Sequence, residues 1–259
     1  MTFRFWNGKT LGIYQFLIIT KMKTTKLLFT FCSCLFFFQS CLAQEEGKHL
    51  FILSGQSNMV GLNPEASFIP TIDAEFGKKN VIVVKDAMGS QSISRWYKDW
   101  KSPNDSVPEK RGDLYDRLML KVYDSIQNQN IASVTFIWMQ GERDARMKFA
   151  DVYEKSLLGL NSQLSKDLKR TDINFIIGRL SDFDMQNEKW PHWTMIRDIQ
   201  RKVGESNQRF GWINTDDLND GINKQGKEIQ NDLHMSEEGY KLMGKRFANK
   251  AIQLIHDNN

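Results

Sequence analysis

Beyond residue 45 the chain alternates between short, nearly unbroken apolar runs and longer stretches whose apolar positions recur at helical spacing. Residues 49–54, 81–84, 134–139, 173–178 and 211–215 are runs of the first kind. Continuous apolar character over so few residues predicts strands buried on both faces, as in a parallel sheet. Residues 114–126, 149–168, 193–203 and 237–255 carry the helical pattern. In the last of these Tyr240, Met243, Phe247, Ala251 and Ile255 share one face, and Ser236 stands where an N-cap belongs. Strand–helix alternation of this kind predicts one three-layer α/β/α domain around a five-stranded parallel sheet. Residues 61–79 and 92–108 read as long loops, and there is no internal repeat, linker or second domain.

In open α/β sheets the ligand lies outside the carboxyl ends of the strands, so the residues following each run carry the functional signal. Gly55-Gln56-Ser57-Asn58-Met59 follows the first, Met88-Gly89-Ser90 closes the loop after the second, and Gln140-Gly141-Glu142-Arg143-Asp144 follows the third. Arg179 and Asp182 follow the fourth, Asp216 and Asp217 the fifth; these two sets read as ordinary polar loops. A serine in a glycine-opened turn after a buried strand is presented at the sheet edge with its amide free to face an oxyanion. Of the four histidines, His234 stands just before a capped helix, whereas His49, His192 and His256 sit at a strand start, in a loop and near the chain end.

Composition narrows the choice. Apolar residues make up 41% and charged residues 25%, an ordinary globular balance. The net charge of +4 comes from 35 basic and 31 acidic residues with no basic run, which argues against a nucleic-acid partner. Cys32, Cys34 and Cys41 all lie before residue 44, so disulfides, thiol catalysis and cysteine-bound zinc are not expected in the domain. Asp216, Asp217 and Asp220 lack the spacing of a calcium loop and read as a solvated turn. Neither a metal nor a nucleotide cofactor is called for.

The N-terminal residues read as an address and not as part of the fold. From Met22, Lys23 and Lys26 precede an apolar run over residues 27–38 and small residues ending at Ala43. This is the pattern of an export signal cleaved after Ala43, with Met22 an alternative start and the domain spanning residues 44–259. The run is short for a membrane span. The expected location is periplasmic or extracellular, with lipid attachment at Cys41 the less favoured variant.

The stretch Leu50-Phe51-Ile52-Leu53-Ser54-Gly55-Gln56-Ser57-Asn58-Met59 resembles the first block of the SGNH hydrolases, in the branch of carbohydrate esterase family 6 and the sialate O-acetylesterase-like domains. Trp138-Met139-Gln140-Gly141-Glu142-Arg143-Asp144-Ala145 resembles that branch's WxQGExDA block, and Leu233-His234 with Glu238-Gly239-Tyr240 resembles its final histidine block. The resemblance implies a flavodoxin-like sheet order and removal of O-acetyl groups from a carbohydrate through an acyl-enzyme. It implies Ser57 as nucleophile, His234 as base, and an oxyanion hole built from the amides of Ser57 and Gly89 and the side chain of Gln140. The family's aspartate three residues before the histidine is Asn231 here, leaving Asp232, Glu142 or neither as the third triad member. Trp96, Trp100, Trp190 and Trp193, with Arg95 and Arg143 near in sequence, suggest sugar-binding surfaces; Arg95, Trp96 and Arg143 are the expected substrate contacts. The alternatives are an esterase or lipase for a non-sugar ester, or a weakly catalytic carbohydrate binder.

Overall fold

The computed structural model describes residues 47–258. The segment expected as an export signal lies outside the described residues. Five strands form one parallel sheet: β1 (Lys48–Gly55), β2 (Val81–Ala87), β3 (Ile131–Met139), β4 (Asn174–Gly178) and β5 (Phe210–Ile213), in the order β2-β1-β3-β4-β5. This is the flavodoxin-like order.

The apolar runs are continuous because alternate residues enter two different cores. Leu50 and Ile52 of β1, with Phe136 and Trp138 of β3, face α3 (Asp113–Ile126), α5 (Ala150–Leu168) and α6 (Trp193–Gly204). Phe51 and Leu53, with Ile137 and Met139, face α2 (Phe68–Phe76) and α7 (Glu237–Asp257). Ser236 caps α7 as expected, its hydroxyl accepting the Gly239 N–H at 3.0 Å.

Four elements escaped the sequence pattern. The expected loop over residues 61–79 holds α2, whose Phe68 and Ile72 are buried. Two helices of five residues, α1 (Ser57–Gly61) and α4 (Glu142–Arg146), begin just beyond the carboxyl ends of β1 and β3. A small antiparallel hairpin, β6 (Gly221–Ile222) with β7 (Glu228–Ile229), follows β5. The loop over residues 92–108 contains a single 3₁₀ turn, Ile93–Arg95. From β1 the chain crosses to β2 on one side and later to β3 on the other, so α1 and α4 flank the sheet's topological switch point.

Candidate active site

Gly55 sets the geometry of the first turn. Its φ is 145°, and an added Cβ would lie 2.0 Å from the Met139 carbonyl oxygen. Only glycine permits so close a crossing of β1 and β3. The chain then turns, the Gln56 N–H donating to that carbonyl at 2.9 Å, and Ser57 opens α1. Gly89 approaches from the loop after β2: a Cβ built on it would lie 3.8 Å from the Ser57 Cβ.

Ser57, Asp232, His234 and Met235 line one cleft of about 400 Å³ with Val60, Tyr240 and the hairpin residues Asn223, Lys224, Gln225 and Ile229. The Asp232 carboxylate lies 3.9 Å from His234 Nδ1, with side chains 43% and 48% exposed. The same Asp232 oxygen accepts the His234 backbone N–H at 2.8 Å, which holds the two side chains on one side of the turn. Asn231 takes no part in this. It adopts a left-handed φ of 46°, its N–H donates to Asp220, and its amide donates to the Phe183 carbonyl. Its backbone N–H and side-chain amide are thereby engaged away from the histidine.

The block after β3 acts as an internal brace. Glu142, Asp144 and Gln140 are fully buried: Glu142 is bonded to Asn58, while Asp144 and Gln140 both reach the loop around Ser92. Asn58 Nδ2 donates to Glu142 Oε1 at 2.8 Å and to the Leu233 carbonyl at 3.1 Å, while Asn58 Oδ1 accepts from the Tyr240 hydroxyl at 3.0 Å. Glu142 is thereby joined, through Asn58, to the residue before His234. Asp144 accepts from the Ser92 hydroxyl at 2.8 Å and the Ile93 N–H at 2.9 Å, fixing the loop that carries Gly89. Burial raises the Glu142 carboxyl to about 7 and that of Asp144 to about 6, partly offset by these donors. Among the described residues Glu142 Oε2 has no hydrogen-bond partner.

Several sequence-based expectations change here. Gln140 does not offer a free amide: its Nε2 is surrounded by Gln56 Oε1 at 3.2 Å, the Gln91 carbonyl at 3.1 Å and Asp144 Oδ2, three acceptors for two hydrogens. Its Oε1 accepts from Tyr153. Glu142, walled off from the histidine by Asn58, is likewise a brace. Trp96 is completely buried and meets Trp138 edge-on at 5.2 Å, so it has no face to give a sugar. Trp193 is buried with its indole N–H on the Ser181 carbonyl, and Trp100 is packed edge-on to Phe149. Trp190 keeps some exposure, with Arg146 over its ring at 5.6 Å.

Arg95 grips Asp113 through two hydrogen bonds of 2.6 Å and donates a third to Gln91, so its guanidinium is largely spent. Arg95 and Arg143 do line a second depression of about 470 Å³, with Ser90, Gln91, Ser92 and Lys110 among its other walls. The acidic turn after β5 is paired and not merely solvated: Asp216 bridges Arg179 and Arg197, and Asp217 binds Arg246. Asn58, which joins Glu142, Leu233 and Tyr240, carries no site role in the sequence reading. Its only signal was its place beside Ser57.

Comparison with known proteins places this geometry. A carbohydrate esterase family model, sialic acid-specific acetylesterase, matches residues 60–253, beginning just after Ser57 and including the β3 block and His234. Among solved structures, a protein from Arabidopsis thaliana aligns with TM-score 0.59 at 16% identity, over 80% of this chain and 98% of its own. A carbohydrate acetylesterase from Xanthomonas citri aligns with TM-score 0.55 at 15% identity, over 82% and 57%. NanS aligns with TM-score 0.55 at 12% identity, over 82% and 98%. No curated protein sequence matches. At such identities the structures speak for the fold, while the family match over most of the domain speaks for descent and for carboxylic ester hydrolysis. The chain belongs to the sialic acid-specific acetylesterase family of carbohydrate esterases.

Proposed function

We propose that this protein is an exported serine esterase that removes acetyl groups from a carbohydrate through an acyl-enzyme on Ser57. The observation that carries the reading is the shared cleft of Ser57, His234 and Asp232, with Gly89 against the serine. Ser57 Oγ attacks the acetyl carbonyl as His234 takes its proton. The tetrahedral oxyanion is held by the N–H groups of Ser57 and Gly89; the former belongs to a helix start, where amides have no intrahelical acceptor. His234 then passes its proton to the departing sugar oxygen, which leaves acetyl on Ser57. Water, deprotonated by the same imidazole, releases acetate and restores the serine.

Asp232 is the proposed third member, orienting His234 and offsetting its charge after proton uptake. The two groups stand 3.9 Å apart, and catalytic contacts of this kind often tighten only with substrate. The depression lined by Arg95, Arg143 and serines from Ser90 onward follows directly in the chain on Gly89, which packs against Ser57, and its polar lining suits a hydroxyl-rich sugar. The competing reading, a non-sugar ester, draws on Val60, Ile229 and Met235 in the cleft wall. The carbohydrate-binder reading draws on Asn231 standing where the family has an aspartate; Asp232, 3.9 Å from His234 Nδ1, offers a carboxylate in its stead.

Hydrolysis of 4-nitrophenyl acetate and of acetylated sugars decides among these. Ser57→Ala and His234→Ala should abolish turnover, and Asp232→Ala should lower kcat by about 10²–10⁴. An Asp232→Ala enzyme as active as the unaltered one removes Asp232 from the triad, and preference for simple esters over every acetylated sugar removes the carbohydrate assignment. Export predicts a mature N-terminus at Gln44, read by mass spectrometry of protein recovered outside the cytoplasm; retention of Met1 or Met22 there contradicts it.

A further inference from the structure

The nucleophile's helix is too short to hold itself. α1 has five residues, and a single turn gains too few internal hydrogen bonds to persist alone. Its last carbonyls also lack intrahelical donors. Two lysines from distant segments meet this need. Lys85 of β2 donates through Nζ to the Val60 carbonyl at 3.1 Å and to that of Leu62. Lys224, at the tip of the β6–β7 hairpin, donates to the Gly61 carbonyl at 2.5 Å and lies 5.1 Å from the centroid of the Tyr240 ring. Gly61 makes this stack possible, since a Cβ there would fall 2.3 Å from the Tyr240 ring.

We propose that Lys85 and Lys224 are positioning residues that clasp the carbonyl end of α1 and so set the attack geometry of Ser57, Lys224 also latching the hairpin as a wall of the catalytic cleft. The inference rests on Ser57 being the nucleophile. Hydrogen bonds from charged donors are roughly twice as strong as neutral ones, and cations are favoured at the carbonyl end of a helix. Among the described residues neither ammonium is paired with a carboxylate. Asp86, next to Lys85 in β2, is engaged by Arg117 and Lys121.

Burial, and then the charge of Lys224, bring the Lys85 ammonium down to about 8. Other ionisable groups around Lys224 are Tyr240, Glu237 and Lys241 of α7, and Asp232 and His234 across the cleft. Loss of the Lys85 proton removes its charge and one donor, so the clasp weakens as pH rises through that value.

The test compares full-length wild type with Lys85→Met, Lys85→Arg, Lys224→Met, Lys224→Arg and Ser57→Ala. Steady-state hydrolysis of 4-nitrophenyl acetate is measured from neutral to alkaline pH, beside the rate of covalent labelling by a fluorophosphonate. Lys85→Met should lower kcat and the labelling rate about ten-fold with little change in KM. Lys224→Met should also raise KM, because the hairpin wall is released. Lys85→Arg, whose charge persists, should hold its activity above the pH of about 8 where wild type declines. Folded methionine variants that label and turn over like wild type overturn the clasp, as does an arginine variant that declines in step with wild type. If the methionine variants do not fold, the arginine profile decides. A wild type that does not label at Ser57 overturns the nucleophile assignment and the clasp together; a labelled wild type with equally fast variants overturns the clasp alone.

Discussion

Asn58 shows how much of the proposed site depends on one side chain beside Ser57. It joins three separated segments, since its amide reaches Glu142, the Leu233 carbonyl and the Tyr240 hydroxyl. Asn58→Ala leaves these groups unpaired in a buried setting, at about 1–3 kcal/mol for each one stranded. The expected outcome is a lower melting temperature and a fall in kcat larger than any change in KM, because Leu233 sets the place of His234. Unchanged kcat in a folded Asn58→Ala protein would mean that the histidine loop is held by other contacts. The residue was invisible as a site candidate from sequence, because an asparagine in a polar turn is usually just a turn residue. Gln140 illustrates the converse error. Its position after β3 was right for an oxyanion donor, but only the three-dimensional arrangement reveals that its two hydrogens already face three acceptors.

At the scale of elements, the predicted strands and long helices are present with small shifts in their ends. β2 extends to Ala87 and β5 is confined to Phe210–Ile213. Their signal was strong because a parallel strand must be apolar on both faces. The short elements α1, α4 and the hairpin carry no such periodic signal, yet they hold or border the chemistry. Their positions come from tertiary hydrogen bonds and close backbone crossings. Gly55 is the clearest case: Gly55→Ala places a methyl carbon into the Met139 carbonyl, so β1 and β3 must part where Ser57 is launched. This variant should lose most esterase activity and show a lower unfolding temperature; near-normal activity would show that the crossing can relax without moving the serine.

The whole molecule carries an electrostatic signature of its buried brace. Glu142 titrates at about 7 against a usual 4.5, and Asp144 at about 6 against 3.8. Between these limits the folded protein binds more protons than the unfolded chain, so stability falls as pH rises through the window and levels off above it. Asp113, Asp172 and Asp217, each held low by an arginine, act in the opposite sense, but only at more acid pH. Glu142→Gln should therefore flatten the decline in melting temperature between about 4.5 and 7, leaving a shallower slope from Asp144. An unaltered slope would mean that Glu142 is ionised throughout that range.

The sequence by itself determined the layered α/β architecture and the segments that meet at the carboxyl edge of the sheet. It did so because hydrophobic periodicity is a local record of burial, and because the three resembling blocks each lie beside one strand or helix end. Tertiary structure alone decided which polar groups are spent and which are free. Trp96 is filled in by Trp138, Arg95 is taken by Asp113, and Gln140 and Glu142 brace loops from within, whereas Asp232 stays beside His234 in the cleft. A side chain's chemical potential depends on what surrounds it in space, and residues far apart in the chain supply those surroundings.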